Sequence, residues 1–168
     1  NTTGTIAFNG ITTIDNEPLD NTSPLFDPPS GQSALEIVGA SGPITFETLN
    51  VLNAAELATG EDGIFINNSG DITFNELNVR YNGIAGALRA AVNIQNSGVI
   101  TARGGVIDAR GATAVGGADA ILLVDNERIN WISDRIRTDT TLNGILVSGQ
   151  PGSFVVRGSG GQGSGGGL

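Results

Sequence analysis

The sequence predicts an all-β chain. The expected fold is a right-handed parallel β-helix (β-solenoid) of about six coils with three short strands each, on a 28–29 residue repeat. Three observations carry this. The stretch Ile64 to Val79, IFINNSGDITFNELNV, holds short apolar-alternating runs around Asn-Asn-Ser-Gly-Asp, which is strong turn chemistry. The same arrangement recurs upstream as LEIVGASGPITFETLNV and downstream as VNIQNSGVITARGGVID. Two apolar columns also keep one step. Ile44, Ile72, Ile100 and Ile129 are separated by 28, 28 and 29 residues, and Leu35, Ile64, Val92 and Ile121 by 29, 28 and 29.

Within a repeat the period is two. Leu35/Ile37, Ile44/Phe46 and Leu49/Val51 alternate as strands do, and helical spacing is nowhere sustained. A leucine-rich repeat is excluded because its Leu-x-x-Leu-x-Leu pattern is missing. The first strand of each coil sends Leu35, Ile64, Val92, Ile121 and Ile145 inward. The second sends Ile44, Ile72, Ile100 and Ile129, with Phe46, Phe74, Ala102 and Trp131 beside them. The third sends Leu49 and Leu77, then Val51, Val79 and Ile107. Trp131 is expected to face the small Ala102 of the preceding coil. Toward the ends, Ile6 is matched to Leu35, Ile11 to Ile44, and Phe154 to the Ile129 column. The turn residues Asn68, Asn96 and Asp125 are expected to form an inward ladder that caps neighbouring amides.

Residues 1–157 are expected to form one solenoid domain, interrupted by an insertion at 16–31. That insertion, NEPLDNTSPLFDPPSG, is proline-rich, and proline cannot donate to a sheet ladder, so it reads as an extruded loop. Its Leu25 and Phe26 either fold over the first coil or serve as a partner contact. Residues 158–168 have flexible-linker composition. Between coils lie Ala- and Gly-rich arcs, with a short helical turn expected at 54–58.

Composition excludes several chemistries. The formal net charge is −9 and all eight basic residues are Arg, so no concentrated basic face favours nucleic acid. There is no Cys and no His, which removes disulfides, thiol catalysis, His triads and the usual zinc sites. No run approaches the roughly 18 apolar residues of a membrane helix, so no spanning segment is expected. Aligned carboxylates would betray a polysaccharide hydrolase or lyase. The outward columns instead read Glu47, Asn75, Arg103 and Arg80, Asp108, Arg137. Neither calcium-binding nonapeptides nor a nucleotide-binding glycine loop is present. No catalysis, cofactor or metal is expected. Arg135 and Arg137, in a cluster with Asp134 and Asp139, are the second candidate contact, suited to an acidic sugar. Asn1, Asn21 and Asn67 match the N-glycosylation pattern.

The repeats GIFINNSGDITFNELNV and VNIQNSGVITARGGVIDARG resemble the passenger solenoids of filamentous-haemagglutinin-like exoproteins, especially the repeat-rich ones of cyanobacteria and other Gram-negative bacteria. The resemblance covers roughly Ser33 to Arg157. It implies an extracellular or cell-surface rod used in adhesion, filaments or matrix. The Asn-Pro-Asn-Gly motif of that family's secretion domain has no match in the sequence. Under the resemblance this chain is therefore an interior or C-terminal piece, or a processed subunit. Bare strand edges pair with other chains, and neither terminus shows an amphipathic capping helix. The rod is thus expected to continue in a longer protein or to stack head-to-tail with copies of itself. A structural or adhesive subunit of a surface fibre is the expected function. The alternative is a polysaccharide-binding or polysaccharide-cleaving β-helix module.

Overall fold

The step-two runs are strands. A computed structural model describes residues 4–15, 33–52, 59–80, 87–109, 119–138 and 144–158. Its strands are β1 (Ile6–Asp15), β2 (Leu35–Val38), β3 (Ile44–Leu52), β4 (Thr59–Asn67), β5 (Ile72–Arg80), β6 (Ala87–Gln95) and β7 (Val99–Ala102). There follow β8 (Val106–Asp108), β9 (Asp119–Val124), β10 (Arg128–Ser133), β11 (Arg135–Arg137), β12 (Ile145–Ser148) and β13 (Gly152–Val156). The proline-rich insertion with Leu25 and Phe26, the segment 54–58, Asp139 and nearly all of the glycine-rich tail lie outside the described residues.

The strands make two parallel sheets. Sheet A runs β1-β3-β5-β7-β10-β13, with β8 paired to β5 and β11; sheet B runs β12-β9-β6-β4-β2. From β2 onward the chain enters sheet B, then sheet A, and returns. Each strand therefore pairs with one that lies a full repeat away in sequence. The registers place Ile44, Ile72, Ile100 and Ile129 in one column. They place Leu35, Ile64, Val92, Ile121 and Ile145 in another. Their shared side chains are the core, and Ile64, Ile72, Ile100 and Ile121 are fully buried. Each such aliphatic is worth about 1.5–3 kcal/mol when removed from water.

Strands β3 and β5 run unbroken through nine residues, whereas the next two layers split into β7 with β8 and β10 with β11. Gly104-Gly105 causes the first break. Gly105 has φ +108°, and a Cβ there would sit 2.0 Å from the Leu77 carbonyl oxygen, so only glycine fits. One aromatic column threads sheet A: Phe8, Phe46, Phe74, Ala102, Trp131 and Phe154 are successive register partners. The first three rings stack at centroid distances of 4.6 and 5.5 Å, and Trp131 stacks on Phe154 at 5.9 Å. Trp131 does stand opposite Ala102, and its buried Nε1 donates to Ser133 Oγ at 2.7 Å.

Three end and turn assignments differ from expectation. Ile6 pairs with Ile44 rather than belonging with Leu35, and Ile11 pairs with Thr48 and is 75% exposed. The inserted segment between β1 and β2 lengthens that step, which breaks the arithmetic of the repeat. Phe154 pairs with Trp131, and Gly152 takes the Ile129 column, because the last step shortens. The third difference concerns the turns. Gly39, Asn68, Asn96, Asp125 and Gly149, at equivalent places, all have left-handed φ of 71°, 51°, 49°, 53° and 83°. That conformation turns Asn68, Asn96 and Asp125 toward solvent. The inward ladder belongs to the next residue of each turn: Ser69, Ser97 and Asn126 are buried. The Ser69 amide donates to Ser97 Oγ (3.2 Å), the Ser97 amide to Asn126 Oδ1 (3.1 Å), and the Asn126 amide to Gln150 Oε1 (2.9 Å).

Candidate functional site

The outward face of sheet A carries polar side chains at the strand spacing, and they bond along the stack. Asn75 Nδ2 donates to Glu47 Oε2 at 2.8 Å, and Arg103 donates in turn to Asn75 Oδ1. Asn78 Nδ2 donates to Asn50 Oδ1 at 3.0 Å, while Asn78 Oδ1 accepts the Val106 amide at 3.0 Å. Arg80, Asp108 and Arg137 share one register column, and Arg137 approaches Asp108 Oδ2 at 3.3 Å. Asn50, Leu52, Asn78, Arg80 and Val106 line a groove of about 290 Å³. The Asn78 amide is taken up within the stack, and the exposed Arg80 guanidinium is the group there suited to an anionic or hydroxyl-rich ligand.

Of the sequence-predicted contacts, Arg135 and Arg137 lie on β11, both half-buried, and Arg137 is engaged by Asp108. Asp134 is not a free member of a charge cluster. Its Oδ2 accepts the Gly105 amide at 2.9 Å, and its Oδ1 faces Arg157 at 3.4 Å, so it joins successive layers. Leu25, Phe26 and Asp139 lie outside the described residues. Among the described residues no group of three or more His, Cys, Asp or Glu is placed to hold one metal ion. No helix there is long and apolar enough to cross a membrane.

Sequence reasoning missed a buried polar chain on sheet B. Asn93 Nδ2 donates to Asp62 Oδ2 at 2.7 Å, and Gln95 Nε2 donates to Asn93 Oδ1 at 2.7 Å. Asn93 pairs with Phe65 and Leu122, an outward position by alternation, yet it is fully buried. The available signal was the unbroken apolar runs Ile64-Phe65-Ile66 and Ala120 to Val124. Continuous rather than alternating apolar residues mark a strand covered on both faces.

The ends of the two sheets differ from the middle. The large hydrophobic residues exposed among those described are Phe8, Ile11 and Val38 at one end, and Val147 and Val155 at the other. Core-column residues of the end strands, Ile6, Ile14, Leu35 and Ile37 against Ile145, Phe154 and Val156, are only partly buried. Ile37 and Val147 close the same column from opposite ends. Among the described residues, the apolar columns thus run to both edges and are only partly covered there.

The described residues define an all-β protein of two parallel sheets whose edge strands expose apolar side chains. Compared with known protein families, curated proteins and solved structures, the chain matches none.

Proposed function

We propose that the two sheets belong to one right-handed parallel β-helix of about six coils, and that the chain is a structural or adhesive extracellular rod that assembles end to end into a surface fibre, without catalysis. The observation that carries this reading is the pair of open edges. Interior aliphatics are fully buried, while the same columns at β1, β2, β12 and β13 are left partly exposed. Exposed parallel edges and open apolar columns are what a further rung covers. A subunit copy supplies such a rung, and so does a longer chain. The extracellular setting rests on the resemblance of the repeats to surface exoproteins.

Negative-stain electron microscopy of the purified chain tests the proposal. Long unbranched fibres support it. Isolated short particles at high concentration refute it.

A second reading, glycan binding, rests on the groove beside Asn50, Asn78 and Arg80. It predicts saturable polysaccharide binding by single particles, lost in Arg80→Ala; polysaccharide binding that Arg80→Ala leaves intact counts against this groove.

A further inference from the structure

We infer that the joint between successive copies is a single parallel pairing in sheet A, with β13 of one copy beside β1 of the next, Gly152 opposite Ile6 and Phe154 stacked on Phe8. This deepens the end-to-end reading and rests on it. The partner is a second copy of this chain.

The direction and register follow from three features. The first is backbone polarity. In three layers the amide that opens the sheet A strand donates to the carbonyl just before the next strand. Ile6 donates to Pro43, Ile44 to Asp71 and Ile129 to Pro151, at 2.9, 2.8 and 2.9 Å. In the same series the next donor is the Gly152 amide, on the open side of β13. The residue equivalent to Pro43 on the open side of β1 is Thr5, whose carbonyl is the matching acceptor. One edge thus presents the positive end of a peptide dipole where the other presents the negative end.

The second feature is the aromatic column. Phe8 covers Phe46 with its ring planes 2° apart, and Phe154 covers Trp131 at 6°. Each terminal ring therefore lies nearly parallel to its only stacked neighbour. Joining the edges in register puts Phe154 on Phe8, and the column continues across the joint at ring separations suited to stacking.

The third feature is the strand count. Among the described residues sheet A has six strands along its path and sheet B has five. The two sheets therefore cannot both continue in register at one joint. A joint through sheet A repeats every six strand spacings, about 29 Å, and leaves β12 and the next copy's β2 two spacings apart. A joint through sheet B would repeat every five spacings, about 24 Å, and would place β1 where β13 already stands. Sheet A is the edge that meets.

The chain has no cysteine, which makes crosslinking a clean test. Ala7 and Ser153 are exposed and stand opposite each other in the inferred register. Fibres of the doubly substituted Ala7→Cys, Ser153→Cys chain, oxidised after assembly, should give a ladder of disulfide-linked multiples on non-reducing gels. Ala7→Cys with Val155→Cys should give at least about tenfold less. The two-residue offset puts those Cα atoms about 8 Å apart, beyond disulfide reach. Layer lines from wild-type fibres should index on about 29 Å. Phe8→Lys, a change at a half-exposed ring on the end strand, should abolish fibres while the monomer still folds and unfolds cooperatively, at a midpoint lowered by the lost stack on Phe46.

Fibres that repeat at about 24 Å, or that crosslink better through Val155, overturn the register and leave the fibre reading standing. Fibres unaffected by Phe8→Lys likewise overturn the joint alone. Wild-type chain that stays as single particles overturns the end-to-end reading and the joint with it.

Discussion

Asn126 links three layers, and removing its side chain should expose how this structure is held together. It is 3% exposed. Its Oδ1 accepts the Ser97 amide from the layer before, and its Nδ2 donates to the Ile94 carbonyl at 3.0 Å. Asn126→Ala strands both backbone groups in a place water does not reach. A buried group left without a partner costs about 1–3 kcal/mol, so the two together should cost about 2–6 kcal/mol. Asn126→Ser is the informative companion. Ser97, one layer earlier, shows what serine does in this turn: its Oγ accepts the Ser69 amide and donates to the Gln95 carbonyl at 2.8 Å. A serine at 126 should accept the Ser97 amide in the same way and lose the Nδ2 bonds, to the Ile94 carbonyl and, at 3.4 Å, to Gln150 Oε1. Its cost should be no more than about half that of alanine.

Urea unfolding followed by circular dichroism measures the difference. With a slope of about 2 kcal/mol per molar, Asn126→Ala should move the midpoint down by about 1–3 M. Hydrogen exchange gives a second reading, because the Ser97 amide should lose protection in the alanine variant and keep most of it in the serine variant. Equal midpoints for alanine and serine would refute the claim that the turn ladder works through its acceptor. So would an alanine variant within about 0.5 kcal/mol of the parent, the range of an ordinary surface change.

Other changes follow from the same geometry. Gly105→Ala forces a Cβ to 2.0 Å from the Leu77 carbonyl oxygen at a φ of +108°, so it should cost more than about 3 kcal/mol or prevent folding, as judged by yield and unfolding midpoint. Asn68→Gly should be neutral or slightly stabilising and Asn68→Ala should cost about 1–2 kcal/mol, because the residue sits at φ 51° with its side chain in solvent. Arg137→Ala should cost no more than about 1 kcal/mol and less still in high salt, since the pair with Asp108 is partly solvated, with side-chain exposures of 38% and 16%. Trp131→Ala should cost about 3–5 kcal/mol in thermal or urea unfolding, because the ring is fully buried between Ala102 and Phe154.

How far the sequence can be read depends on what fixes each feature. The Ile44 and Leu35 columns were legible because burial selects for shape at every layer and the step hardly varies. Ile6 and Phe154 were not placed correctly, because an inserted segment and a shortened final turn shift the step while composition stays the same. The turn ladder was located to within one residue and given the wrong direction. Asn-Ser-Gly announces a tight turn. Only the left-handed φ at Asn68 reveals that the amide side chain leaves and the serine enters. The outward columns Glu47-Asn75-Arg103 and Arg80-Asp108-Arg137 were legible from arithmetic alone. Asn93 was not, since its polarity argued for solvent and its burial comes from the second face of sheet B.

The same repetition that stabilises the interior makes the ends reactive. Every interior layer has its amides, ring faces and aliphatic columns completed by the layers above and below it, and no layer completes itself. Ser69 needs Ser97, Ser97 needs Asn126, and Asn126 needs Gln150. Among the described residues, ring faces and aliphatic side chains of the end strands are left partly exposed. Negative charge does little to hide them, because Phe8, Val38, Val147 and Val155 are the side chains on view there. Assembly at the edges would reuse the parallel pairing of the interior, and that economy is the ground on which we propose a structural role.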